Sequence, residues 1–330
     1  MLLHEHLENG ADKNPNFPFS EFEGNSLSYQ EANLLSNQLA NKLVSEGLEV
    51  GDRFAFLAKN CTEMAIMYYA ASKVGAVPVP LNYRLADQEW AYIINDSEAK
   101  LIIVKGNEYS DRINQISSEL KNVKKYISIS LDNSIEKFHD FYDWLSDSSN
   151  EKPALKIDEN YDVYQMYTSG TTGHPKGAVL LQRNVAANIR QYLNSLTLPR
   201  PSRTLLVAPM YHAAAMINMC GCIAIGGTIV IQEDFIPQDV VDCLANEKIT
   251  HTVLVPAMIQ ACLVSVPNVA SYEYNDLDQI HYGASPIAPE TLKKAMDVFK
   301  CKFGQGFGMT ETVAVICLMT PEEHIRAIEK

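Results

Sequence analysis

GDRFAFLAKNCTEMAIMYYAASKVGAVPVPLNYRL, residues 51–85, contains one complete strand–helix–strand pattern, and this pattern indicates the fold of the 330-residue chain. Arg53 to Ala58 is apolar and strand-like, Thr62 to Lys73 is rich in Met, Ala and Tyr at helical spacing, and Ala76 to Leu81 is a second strand-like run. A strand, a helix and a strand of these lengths form a unit with two parallel strands and a helix across one face. The stretch predicts an α/β fold with a mostly parallel sheet.

The same alternation extends in both directions from this unit. Upstream, Ser28 and Glu31 form a capping box ahead of leucines at helical spacing, and Gly47 ends that segment. Downstream, residues 86–96 are helix-like and residues 101–104 strand-like. A second series begins after Pro201, with strands predicted at 204–208, 228–231, 252–255, 277–282 and 302–307 and helices predicted at 216–224, 237–247, 257–266 and 289–299.

Two layered α/β subdomains with mostly parallel sheets are therefore expected, residues 1–195 and 196–330, with the boundary near Leu193 to Ser202. The polar region from Asp132 to Lys156 is interpreted as a peripheral helix and linker. His212 to Ile231 is nearly all apolar, but Gly226 and Gly227 interrupt it. A buried helix, a turn and a core strand fit that segment better than a membrane span.

Composition favours a soluble protein that binds small molecules. A formal net charge of −13 argues against a nucleic-acid partner or an anionic membrane surface. The N-terminal residues lack the basic and apolar regions of a secretory signal. The seven cysteines include no CxxC pair, so neither a zinc site nor a disulfide framework is indicated, and a reducing cytoplasm is expected. The sequence leaves open whether the chain forms a homo-oligomer.

YTSGTTGHPKG, Tyr167 to Gly177, lies between two strand-like runs. Its glycines allow backbone N–H groups to approach an anion, its hydroxyls add donors, and Lys176 supplies a positive charge. The candidate phosphate-binding residues are Thr168, Ser169, Gly170, Thr171, Thr172, Gly173 and Lys176. Lys176 stands between Pro175 and Gly177, which departs from the Walker pattern. A polar surface turn is the structural alternative.

Three later stretches each lie where a predicted strand ends, which is where open α/β sheets bind ligands. In PMYHAAAM, His212 could orient a substrate carboxylate, or it could pack as a half-buried histidine. In YGASPI, Gly283, Ala284 and Ser285 permit close approach of a flat ring, although a tight strand-to-helix turn needs the same residues.

The third stretch, GFGMTE, comprises Gly306 to Glu311. Phe307 offers an aromatic face between two glycines, Thr310 can hydrogen-bond a phosphate, and Glu311 can bind Mg²⁺ through carboxylate oxygen. The alternative is a glycine-rich strand end followed by a solvated glutamate.

These four signatures in this order resemble those of the adenylate-forming superfamily, and Gly51 to Leu85 resembles the N-terminal part of bacterial fatty-acyl-CoA ligases. The resemblance implies ATP-dependent conversion of a carboxylic acid to an acyl adenylate, followed by transfer to the thiol of coenzyme A. It also implies roles for particular residues. The loop and Lys176 would bind the β- and γ-phosphates. Gly283, Ala284 and Ser285 would line the adenine, Phe307 would stack on it, and Gly308 and Met309 would belong to the nucleotide-binding site. Thr310 would touch the α-phosphate region, Glu311 would hold Mg²⁺, and His212 would lie beside the acyl pocket.

Relatives that activate amino acids usually carry an aspartate in the segment equivalent to Tyr211 to Ala214, so the Tyr-His-Ala-Ala found here favours a simple carboxylic acid over an α-amino acid. The Ala, Met, Ile and Cys content of Ala213 to Cys222 suits an apolar acyl tail, although a core helix has the same composition. The family's later motifs, including its mobile C-terminal lid domain, do not appear before Lys330. Weak or absent turnover by these 330 residues alone is therefore expected. A non-catalytic nucleotide- or acyl-binding module, and a ligase that uses a carrier-protein thiol, are the alternatives.

Overall fold

The structure is a computed structural model that describes residues 1–130, 135–168, 173–196 and 198–328. The strands in these ranges are β1 (Pro18–Phe22), β2 (Asn25–Ser28), β3 (Arg53–Leu57), β4 (Val77–Leu81), β5 (Leu101–Lys105), β6 (Lys125–Ile129), β7 (Phe138–Asp140), β8 (Asp162–Thr168), β9 (Lys176–Leu181), β10 (Arg203–Leu206), β11 (Thr228–Ile231), β12 (His251–Leu254), β13 (Gln279–Gly283), β14 (Lys302–Phe307) and β15 (Cys317–Met319). The helices are α1 (Leu3–Lys13), α2 (Tyr29–Ser45), α3 (Thr62–Val74), α4 (Asp87–Asp96), α5 (Asn107–Ile116), α6 (Phe141–Leu145), α7 (Gln182–Ser195), α8 (Ala213–Ala224), α9 (Pro237–Asn246), α10 (Pro256–Ser265), α11 (Pro289–Phe299) and α12 (Pro321–Ile328).

The chain divides into two compact units, and the division does not follow a single cut in the sequence. The first unit comprises Met1–Asp12 and Gln30–Ala186, and the second comprises Lys13–Tyr29 and Ala187–Lys330. The short N-terminal strands β1 and β2 therefore belong to the second unit, where β1 pairs in parallel with β11.

The first unit is built on a five-stranded sheet in the order β4-β3-β5-β6-β7, in which every neighbouring pair is parallel. Helix α3 connects β3 to β4, and its residues from Glu63 to Val74 are all buried. Gly75 ends the helix in the left-handed conformation at φ 73°, which glycine adopts without steric cost. The predicted strand–helix–strand unit is thus confirmed.

The polar region interpreted as a helix and linker also contributes a strand, which the sequence interpretation missed. Strand β7 adds to the sheet beside β6, and α6 follows it directly. Asp140 ends the strand and caps the helix, since its carboxylate accepts hydrogen bonds from the N–H groups of Tyr142 and Asp143 at 2.9 and 3.0 Å. A three-residue edge strand is too short to give a period-two pattern, so its sequence signal is weak.

The second unit is built on an eight-stranded sheet in the order β15-β14-β13-β12-β10-β11-β1-β2. The six central strands are parallel, and the two edge strands β2 and β15 are antiparallel to their neighbours. One core is formed by apolar side chains that include Leu205, Ile280, Tyr282, Phe299 and Phe303. The α/β class with mostly parallel sheets is confirmed in both units.

Helix α8 and strand β11 account for the long apolar segment that begins at His212. Gly226, at φ 76°, turns the chain between them, and all four β11 residues are buried. Among the helices described, none has both the length and the hydropathy that crossing a bilayer requires.

Candidate active site

A cavity of about 400 Å³ lies in the second unit at the carboxyl ends of parallel strands. Its lining comes from five short segments: 208–217 around the start of α8, 253–255 at the end of β12, 281–284 at the end of β13, 306–310 at the end of β14, and 314–318 beyond it, together with Tyr192 of α7. A volume of this size is within the usual range for small-molecule sites.

Six residues singled out from the sequence line this one cavity: His212, Gly283, Ala284, Gly308, Met309 and Thr310. Segments separated by about a hundred residues are thus brought together. Ser285, Phe307 and Glu311 are exposed and adjacent in sequence to lining residues, without being part of the lining. Phe307 is 61% exposed, so its ring is available to stack on a planar group.

At two positions of the cavity wall, a neighbouring backbone segment lies so close that only glycine fits. A Cβ on Gly283 would lie 2.3 Å from the carbonyl oxygen of Gly306, and a Cβ on Gly308 would lie 1.4 Å from that of Ala314. Neither contact can be relieved by moving a flexible side chain, because both partners are backbone atoms. The cavity wall can therefore form only with glycine at these positions.

The loop after β14 is held in a conformation that costs free energy by itself. Val313 has φ 72° although it is β-branched, which makes it a true backbone outlier. Asn188 of α7, which is buried, clamps the loop: its Nδ2 donates to the Val315 carbonyl at 2.8 Å, and its Oδ1 accepts from the Val315 N–H at 3.3 Å. Sequence reasoning missed Asn188, because one asparagine in an amphipathic helix carries no distinguishing pattern.

His212 lies at the N-cap of α8, and its ring lies 4.4 Å from that of Tyr211 between centroids. Its carbonyl oxygen accepts hydrogen bonds from the N–H groups of Ala215 and Met216, so it begins the helix. The side chain is exposed and lines the cavity, which differs from the half-buried histidine considered as the alternative.

His281 also lines the cavity, and the sequence interpretation did not use it. The residue is 3% exposed, and burial lowers the pKa of its imidazole to about 4. Within the described residues, neither ring nitrogen has a hydrogen-bond partner. The available signal was a histidine within a predicted strand, two residues before the glycine at the strand end.

The glycine-rich loop of the first unit lies between the two strands of a β-hairpin, as predicted. Strands β8 and β9 are antiparallel, with Thr168 opposite Lys176 in the register. Lys176 is exposed, and Gly173 has φ 119°, a conformation that favours glycine. Ser169, Gly170, Thr171 and Thr172 lie outside the described residues.

Polar side chains beneath this hairpin form a connected network that the sequence interpretation also missed. The Tyr167 hydroxyl donates to Asp96 Oδ2 at 2.7 Å and accepts from Gln165 Nε2 at 3.1 Å. Arg53 Nε donates to Gln165 Oε1 at 3.2 Å and the same guanidinium pairs with Asp162 at 3.2 Å. Burial and the neighbouring Asp96 raise the pKa of Tyr167, so the hydroxyl stays protonated and remains a donor.

His174, within the predicted phosphate loop, stacks on Tyr92 of α4 with ring centroids 4.6 Å apart and planes inclined by 19°. The stack and the network therefore anchor the hairpin on both sides of the glycine-rich segment.

Glu311 is the candidate ligand for a divalent cation, and it lies in the 3₁₀ turn Thr310–Thr312 with an exposed side chain. Across the described ranges, no group of three His, Cys, Asp or Glu side chains is arranged to hold a metal. A single carboxylate suits Mg²⁺ that is held mainly by phosphate oxygens and water, and does not suit a metal site made wholly of protein ligands.

The relatives found by comparison with known proteins agree with one another. The family model described as AMP-binding enzyme matches residues 7–329. The long-chain-fatty-acid–CoA ligase FadD13 of Mycobacterium tuberculosis is 29% identical over 302 residues, which cover 91% of this chain and 58% of that protein. The fatty acid–[acyl-carrier-protein] ligase ScoC of Streptomyces coeruleorubidus is 30% identical over 321 residues, 96% of this chain and 59% of that protein.

The inhibitor-bound crystal structure of the N-terminal domain of FACL13 from Mycobacterium tuberculosis superposes with a TM-score of 0.90 at 26% identity, covering 99% of this chain and 80% of that one. The chain spans less than two thirds of the length of the two curated relatives above.

Proposed function

The chain belongs to the AMP-binding enzyme family, and from this premise we propose that it activates a carboxylic acid with ATP. The carboxylate attacks the α-phosphorus, an acyl adenylate forms, and pyrophosphate leaves. In the complete reaction the thiol of coenzyme A then attacks the acyl carbonyl and AMP leaves. The observation that carries this proposal is the cavity, which gathers His212, Gly283, Ala284 and Thr310 at one sheet edge.

In the second unit, the backbone at Gly283 and Ala284 and the exposed ring of Phe307 are proposed to bind the adenine, with Ser285, Gly308 and Met309 beside it. A flat purine ring fits against these groups, because Gly283 and Gly308 have no side chain that would block it. Thr310 is proposed to hydrogen-bond the α-phosphate. Glu311 is proposed to hold Mg²⁺, which would neutralise charge on the polyphosphate when bound.

In the first unit, Thr168, Gly173 and Lys176, with the residues between them, are proposed to bind the β- and γ-phosphates. Lys176 is exposed, and the anchored hairpin fixes the ends of the loop that carries it. Positioned donors of this kind stabilise negative charge as pyrophosphate departs.

The acid is proposed to enter the apolar part of the cavity beside His212. Ala213, Ala215, Ile217, Val253 and Leu318 line this part. No acidic side chain is among the lining residues to pair with a substrate ammonium, which supports a simple carboxylic acid over an α-amino acid. A carrier-protein thiol is the alternative acceptor, since ScoC is named as a ligase of that kind.

Binding provides the test, because the chain corresponds to only part of its curated relatives. Calorimetric titration would compare three ligands: ATP·Mg²⁺, AMP and a non-hydrolysable acyl adenylate, such as an acyl sulfamate of adenosine. We expect the acyl adenylate analogue to bind at least tenfold more tightly than AMP, because intermediates of the catalysed step are bound preferentially. Failure of both nucleotides to bind would refute the proposal, and equal binding of the analogue and AMP would favour a nucleotide-binding module without an acyl site.

A further inference from the structure

We propose that His281 selects the acid: its imidazole hydrogen-bonds a neutral polar group, such as a hydroxyl, keto or amide group, on the acyl chain remote from the carboxylate. This inference rests on the proposed function and specifies the substrate class of that same cavity. The expected acid is then an apolar chain that carries one neutral polar group.

The place of His281 in the sheet directs it into the cavity. It lies on β13 with Val253 of β12 and Gly304 of β14 as its register partners. Its neighbours along the strand, Ile280 and Tyr282, belong to the hydrophobic core, and Tyr282 also contributes to the cavity lining. Because successive residues of a strand alternate between faces, His281 shares the cavity face with Gly283 and lies about 7 Å deeper along the strand.

The ring is held in position by its packing. A Cβ on Gly304 would lie 2.6 Å from Cδ2 and 2.9 Å from Nε2 of His281, so the imidazole lies against a strand position that only glycine leaves open. On another side, the Tyr192 ring stands edge-on with its centroid 6.4 Å away. A donor or acceptor fixed in this way loses little entropy when it binds a ligand.

Its hydrogen-bonding capacity is unused by the protein. Both ring nitrogens are buried, and among the described residues neither finds a partner. Most buried polar side-chain atoms in native proteins are hydrogen-bonded, so a ring with two unpaired nitrogens in a cavity wall calls for a ligand group. Other buried histidines here follow the rule: His251 bonds Ser202 and Thr204.

The state of the ring indicates what kind of group it takes. Burial, with a smaller contribution from His324, lowers the pKa of His281 to about 4, and Asp278 opposes the shift. A neutral imidazole has one N–H donor and one acceptor nitrogen. That pair matches a hydroxyl, keto or amide group, whereas a second carboxylate would find no compensating charge.

The test uses two series of non-hydrolysable acyl adenylates that differ only in whether one chain carbon carries a hydroxyl or a methyl group, with the substituted position varied. We expect wild-type protein to bind one hydroxylated member about 10- to 100-fold more tightly than its methyl counterpart, because the methyl group leaves the buried imidazole without a hydrogen-bond partner. His281→Leu should abolish this preference while retaining affinity for the methyl analogue.

Gly304→Ala gives a second variant, which keeps the histidine and displaces its ring, and it should reduce the preference as well. Val264→Ala is the matched control, since this side chain is 72% exposed and lies outside the cavity lining. Equal affinity of wild type for every pair, or an unchanged preference in His281→Leu, would overturn this inference alone. Failure of wild type to bind any analogue would overturn the proposed function, and this inference with it.

Discussion

Replacing Gly283 by alanine should destabilise the second unit, and replacing its register partner Gly306 should not. The two glycines face each other between β13 and β14. A Cβ on Gly283 would lie 2.3 Å from the Gly306 carbonyl oxygen, whereas the nearest atom to a Cβ on Gly306 is Leu318 Cδ2 at 3.5 Å, an ordinary contact. Only the first substitution forces the strands apart.

Overpacking of this kind costs about 1–3 kcal/mol, and the backbone partner puts Gly283→Ala near the upper part of that range, at about 2–3 kcal/mol. For a unit of this size, each kcal/mol lowers the melting temperature by about 2–4 °C. We therefore expect Gly283→Ala to lower the transition of the second unit by about 4–12 °C, and Gly306→Ala to change it by less than about 2 °C.

Differential scanning calorimetry suits this measurement, because both tryptophans, Trp90 and Trp144, belong to the first unit and would report on the wrong part of the chain. Both glycines line the cavity, but only a Cβ on Gly283 meets the backbone of the neighbouring strand, so ATP titration should show weaker binding by Gly283→Ala than by Gly306→Ala. Equal melting temperatures for the two variants, or a larger loss for Gly306→Ala, would show that the strand ends relax freely and that the argument from backbone contact is wrong.

Lys176→Ala should weaken ATP binding by about 10- to 100-fold in calorimetry, because charge-assisted hydrogen bonds to phosphate are lost. The exposed control Lys156→Ala should bind ATP as wild type does. Equal ATP affinities of Lys176→Ala and wild type would exclude the loop from the phosphate site. Tyr167→Phe should lower the free energy of unfolding of the first unit by about 1 kcal/mol, because Asp96 loses the hydroxyl that donates to it; urea denaturation followed by tryptophan fluorescence would measure this, and an unchanged midpoint would contradict it. Stability should fall as the pH drops from about 6.5 to about 4, because the unfolded chain protonates His281 at its ordinary pKa of 6.5 and the folded chain does so only near 4. Burial also lowers the pKa values of His6 and His251, to about 4 and about 3, so these residues add to the same fall. His281→Leu should therefore reduce the slope by about 1.4 kcal/mol per pH unit without abolishing it, and an equal slope in both proteins would contradict this.

Much of the second unit was predictable because its elements have strong local signals. Strand β11, helix α11 and strand β14 begin and end at the residues predicted. Each is bounded by a glycine, a proline or a polar turn. Helix α11 carries apolar residues at helical spacing, and β11 is a short run of β-branched residues. The hairpin at the glycine-rich loop was predictable for the same reason, since two apolar strands flank it.

Elements without such signals were missed. Strands β7 and β15 have three residues each, and β1 pairs with β11, a partner about two hundred residues away. A short edge strand depends on the strand beside it more than on its own composition, so only the assembled sheet reveals it. The membership of Lys13–Tyr29 in the second unit has the same cause.

The sequence by itself determined the alternation of strands and helices, the glycine-rich hairpin and the four segments that carry the candidate site, because local propensity and turn chemistry are written in neighbouring residues. Only the tertiary structure decided which of those residues share a cavity, which glycines cannot be replaced, and that His281 and Asn188 belong to the site. Contacts between residues far apart in the chain depend on how the strands are ordered in the sheet, and no local pattern encodes that order.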